Sequence, residues 1–134
     1  MRIRTIFLIA SFLLLFQVAP LIISMFSVDF KSALISHAFG SNFSSDAVQM
    51  FDTFALVVSS MVIGIVFLII GSLSIRNLKA LRRLSFLLFV IMGFFALPDL
   101  INGIAGKPTA PIPVIIANIL TMGILFYGAK RGNI

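Results

Sequence analysis

The chain has 134 residues, 60% of them hydrophobic and 10% charged, with a formal net charge of +6. Soluble domains carry about a quarter charged residues, so ten basic and four acidic side chains are too few to solvate a globule of this size, and a soluble enzyme is excluded. The cations are scattered around apolar runs, with no continuous basic face and no aromatic or Gly-rich RNA module, which argues against a nucleic-acid partner. No cysteine is present, so disulfides, thiolate chemistry and Cys-ligated metals are excluded. A single histidine, His37, rules out a multi-histidine metal site and leaves no cofactor to expect.

Three uncharged runs stand out: Thr5–Val28 with 24 residues, Thr53–Ile75 with 23 and Pro108–Ala129 with 22. A fourth, Leu84–Pro98, runs for 15 residues before Asp99 and continues uncharged beyond it. A helix needs about 20 apolar residues to cross about 30 Å of hydrocarbon. Open strands cannot cross, and no run shows the period-2 alternation of a barrel. The expected fold is therefore an all-α, integral membrane four-helix bundle forming a single transmembrane domain over 1–134. Its spans lie near 5–26, 50–74, 84–104 and 112–128, with an outer loop over 27–49.

The first span opens like a signal peptide, but Ile6–Phe16 continues through Gln17, Pro20 and Ile23 without a small-x-small cleavage site, so it reads as an uncleaved anchor. After it, Val28–Phe39 predicts a short amphipathic helix with Phe30, Ala33, Leu34 and Ala38 on one side. Ser27 and Gly40 would cap it, and it would lie in the interface or fold over the outer mouth of the bundle. Asp46 and Gln49 have the spacing of a capping box at the start of the second span. Asn42-Phe43-Ser44 matches a glycosylation sequon by chance.

Charge sets the expected orientation. Arg2, Arg4, Arg76, Lys79, Arg82, Arg83, Lys130 and Arg131 flank one side of the spans, and only Lys31 and Lys107 the other, together with Asp29, Asp46, Asp52 and Asp99. The positive-inside rule then puts both termini in the cytoplasm, in an inner membrane. The basic connection Arg76, Lys79, Arg82 and Arg83 can meet anionic lipid headgroups, or do no more than set this topology.

Polar groups inside spans are costly and face the bundle interior or a cavity. Gln17, Asp52, Asp99, Asn102 and Asn118 all fall in the outer half, whereas the inner half is Leu, Ile, Val and Phe. Asp99 and Asn102 share one helix face with Met92 and Phe95, and Pro98 frees a backbone carbonyl beside them. The expectation is a small outward polar pocket under the 28–39 segment. The competing reading makes Asp99 structural, paired with Lys107 or capping the turn around Asn102-Gly103. Small residues Ser60, Gly64 and Gly71 on the second span, and Ala117 and Thr121 on the fourth, predict close helix approach.

There is no Walker motif, HExxH or GxSxG, and nothing brings Asp52 and Asp99 together as an acid–base pair. Four spans, an inside N-terminus, the basic Arg76–Arg83 connection and the polar break Phe94–Gly103 resemble the DoxX-like small four-helix bacterial membrane proteins. That resemblance implies the architecture and, for some members, association with membrane redox complexes; it carries no functional residue. The expected function is a non-catalytic accessory or binding component of the membrane, partnered by the bilayer and by another membrane protein or further copies of itself. One alternative is a binder or transporter of a small lipophilic ligand around Asp99; another is an oligomeric channel or exporter.

Overall fold

A computed structural model describes residues 1–107 and 109–134. Pro108, which opens the last uncharged run, lies outside the described residues. The described residues form five helices: α1 (Ile3–Ser24), α2 (Val28–Phe39), α3 (Ser45–Ser72), α4 (Leu78–Ile104) and α5 (Ile112–Arg131). All but α2 are long and apolar enough to cross a membrane. Among the described residues there is no sheet, only an isolated bridge between Arg2 and Asn133.

Local signals explain most boundaries. Ser27 Oγ accepts from the Phe30 N–H at the start of α2, and Gly40 ends that helix at φ +86°, a conformation other residues resist. The second apolar run starts earlier than its expected bound of 50, because Ser44 Oγ accepts from the Ala47 N–H and caps α3. The cap is thus Ser44, not the Asp46–Gln49 box. Likewise the expected bound at 84 gives way to Leu78: Asn77 Oδ1 accepts from the N–H groups of Lys79 and Ala80. Lys79, Arg82 and Arg83 consequently stand on the first turns of α4 rather than in a loop. Pro111 and Pro113 begin α5, where a missing N–H is no loss.

The helices are arranged as an open arc. α1 packs against α3 on one side and α5 on the other, and α4 packs against α5. α2 lies across α1 and α3. Although consecutive in sequence, α3 and α4 are not among the packed pairs. The core is densest at the end holding both termini, where Ile3, Ile6, Phe7, Ile69, Leu81 and Leu125 are fully buried. Here the Ile3 N–H donates to Asn133 O at 2.7 Å, and Arg82 Nε donates to Gly132 O at 2.9 Å. This is the basic end of the molecule; the four aspartates belong to the other.

Close approach occurs at other residues than expected on α3. Ser60, Gly64 and Gly71 are exposed, and a Cβ at either glycine would meet nothing within 4 Å. The buried face of α3 is instead Ala55, Ser59, Val62, Val66 and Ile69. Every face of this helix is apolar, so residue size alone does not identify the one that packs. On α5, Ala117 and Thr121 are buried as expected. A close approach between helices also occurs at Gly128, where a Cβ would stand 2.7 Å from Ser85 Oγ and 3.2 Å from an Ile6 methyl.

Candidate functional site

Because α3 and α4 diverge from their short connection, a cavity of about 690 Å³ fills the seam between them at the acidic end. α1 forms its floor with Leu14, Gln17, Val18 and Leu21. One wall is α3, with Phe54, Val58, Met61 and Val62; the other is α4, with Met92, Phe95, Pro98, Asp99 and Asn102. Val114 and Asn118 of α5 and Lys107, Thr109 and Ala110 of the preceding turn close the far side, while α2 contributes Ala38 at the rim. The lining reaches no deeper than Leu14, Val62 and Met92, below which the fully buried Phe7 and Ile69 belong to the core.

Four of the five candidate ligand residues, Gln17, Asp99, Asn102 and Asn118, are brought to this one cavity. Asp52 is not. It is 47% exposed on the outer side of α3, where Lys31 Nζ lies 2.7 Å from its Oδ1, tying α2 to α3. The two carboxyls therefore do not converge as an acid–base pair. α2 does fold beside the mouth; its buried residue is Ile35, which packs with Phe51 and Ala55 of α3, and of the expected side only Leu34 joins that cluster while Phe30, Ala33 and Ala38 are exposed.

Each polar group at the cavity has its own state. Asp99 Oδ1 accepts from the Ala110 N–H at 2.7 Å, so this half-buried carboxylate pins the turn leading into α5. Neither expected structural role for Asp99 is the observed one: it caps residue 110, and among the described residues it forms no ion pair with Lys107. The Lys107 N–H donates to Asn102 O at 2.8 Å, which ends α4 and presents the lysine at the cavity. Gln17 Nε2 donates to Thr121 Oγ1 at 3.0 Å, and that hydroxyl in turn donates to Ala117 O at 2.7 Å. This chain of bonds joins α1 to α5 beneath the cavity.

Asn118 stands apart. Its Oδ1 is buried without a partner among the described residues. Such an unmet acceptor costs about 1–3 kcal/mol. The cavity thus combines apolar walls with polar side chains engaged within the chain, Gln17 and Asp99, and with the buried, unpartnered oxygen of Asn118. Its size is that of a site for a single small molecule, which occupies about 300–1,000 Å³.

Sequence reasoning missed Lys107 and Thr109 as lining residues. Their only signal was position, in the short turn after the polar break that ends α4. The basic candidates are separate from this site: Arg76, Lys79 and Arg83 are exposed at the opposite end, and Arg82 is half-buried over the C-terminal segment. Among the described residues no cluster of His, Asp or Glu could hold a metal. Comparison with family models, curated proteins and solved structures found no match for this chain.

Proposed function

We propose that this chain is an integral membrane protein, both termini cytoplasmic, that binds one small lipophilic molecule through the seam between α3 and α4. The observation that carries this reading is the cavity of about 690 Å³ whose apolar walls end in Gln17, Asp99, Asn102, Asn118 and Lys107. Apolar walls with a few convergent polar groups suit a ligand with a ring or chain and one polar end. The exposed surface supports a lipid solvent: Phe12 is 69% exposed, Phe67 71% and Phe94 67%. Clustering of eight cations at one end supports the cytoplasmic assignment of that end.

The role is binding rather than catalysis. Asp99 is engaged by a backbone N–H, and Asp52 by Lys31. Similarity to DoxX-like proteins is proposed for the architecture alone.

Native mass spectrometry of the protein gently extracted from its own membrane tests the reading. The wild-type chain of 14.6 kDa should carry a small additional mass. Val58→Phe, which extends a ring into the cavity from α3, should fold normally and fly bare. A wild-type chain without adduct, or an adduct retained in full by Val58→Phe, would overturn the proposal.

A further inference from the structure

A second depression lies at the basic end, independent of the cavity. It is a groove of about 290 Å³ between the start of α4 and the end of α5, lined by Arg82, Arg83, Phe86, Phe126, Ala129 and Lys130. The Lys130 ammonium sits 5.4 Å from the centre of the Phe126 ring, within cation–π range. Phe126 packs on Phe89 at 5.2 Å between centroids, and Phe89 on Phe86 at 6.2 Å. Three cations therefore rim an aromatic floor, and two helices supply them.

The cations are not neutralised within the chain. All four acids are aspartates of the opposite end, and the one ion pair among the described residues joins Lys31 and Asp52. Arg82 donates its Nε–H to Gly132 O at 2.9 Å, which holds the guanidinium, and its other N–H donors have no partner among the described residues. Like charges held together in this way repel, and an anion with several acceptor oxygens relieves them. Phosphate fits arginine pairs better than a single-oxygen acceptor does. The aromatic floor gives a reason to go further than a bare anion, since a free phosphate would leave Phe86 and Phe126 unused. Arg76 and Lys79, though equally basic, lie outside the groove.

We infer that this groove is a binding site for the phosphate headgroup of an anionic phospholipid, with Arg82, Arg83 and Lys130 around the phosphate and an acyl chain laid over Phe86 and Phe126. The test is lipid retention by the full chain in neutral detergent, read by native mass spectrometry with phosphatidylglycerol against phosphatidylcholine. Wild type should prefer phosphatidylglycerol. Arg83→Gln with Lys130→Gln should lose about thirtyfold of that affinity, about fivefold per cation withdrawn from an anionic lipid. Lys130→Gln alone should lose about fivefold. Arg76→Gln with Lys79→Gln removes the same charge from the same end and should leave the preference intact.

Equal losses in the two double variants would mean a diffuse field rather than a site, and would overturn the inference. So would a wild-type chain that holds both lipids equally, or one whose bound phosphatidylglycerol is displaced by millimolar inorganic phosphate, which would make the ligand a free anion. Both altered side chains are exposed, and matching thermal unfolding of variant and wild type separates lost binding from lost fold.

Discussion

Asp99 does two things with one carboxylate. It faces the cavity, and its Oδ1 accepts the Ala110 N–H that would otherwise be unmet in a half-buried turn. The acceptor matters to the fold more than the charge does. Asp99→Asn keeps an oxygen in place and should unfold like wild type, while Asp99→Ala should lose about 1–3 kcal/mol by leaving the amide unpaired. Denaturant titration of the two variants checks this; equal stability of the alanine variant would show that the turn holds without Asp99. The convergence of Gln17, Asp99, Asn102 and Asn118 was legible in the sequence, because polar groups in an apolar span have few places to go. The partner of Asp99 was not, since a backbone N–H eleven residues away leaves no mark on the pattern.

At the scale of elements, the bundle is held by a spine at α1 and a clasp at Gly128. There α1, α4 and α5 converge so closely that Ser85 Oγ reaches Leu125 O at 2.7 Å. A methyl at this position must displace Ser85 or Ile6, and neither is the free end of a long side chain. Gly128→Ala should therefore destabilise by about 1–3 kcal/mol, whereas Gly64→Ala on the open face of α3 should cost nothing or stabilise slightly. Thermal unfolding in one detergent compares the pair, and equal effects would refute the clasp. Element type was readable from hydropathy alone, and α2 was found with its bounds. Contact faces were not. In α1 and α3 the residues turned inward and outward are alike in polarity, so Ser59 and Ser60 look equivalent until packing separates them.

For the whole molecule the governing asymmetry is charge. Eight cations sit at one end without an acidic side chain, and the other end balances Lys31 against Asp52. If the basic end is cytoplasmic, a cysteine at Ser41 should react with an impermeant maleimide in intact cells, and one at Ser74 only after the membrane is opened. The chain has no native cysteine to confuse the readout. The opposite labelling pattern would invert the orientation and place the cavity in the inner half. The gathering of the cations at one end was legible because it is a property of helix ends and needs no knowledge of packing. The open seam was invisible for the converse reason: it is the absence of a contact between two neighbours in sequence.

Under the proposed function, with α3 and α4 both in the bilayer, that seam has a kinetic and thermodynamic consequence. A ligand entering between α3 and α4 arrives sideways, already dissolved in hydrocarbon, and never has to shed a hydration shell at the doorway. What governs occupancy is then its mole fraction among the lipids rather than its concentration in water. A compound too insoluble to measure in the aqueous phase can saturate such a site by two-dimensional search alone, and weak intrinsic affinity is enough.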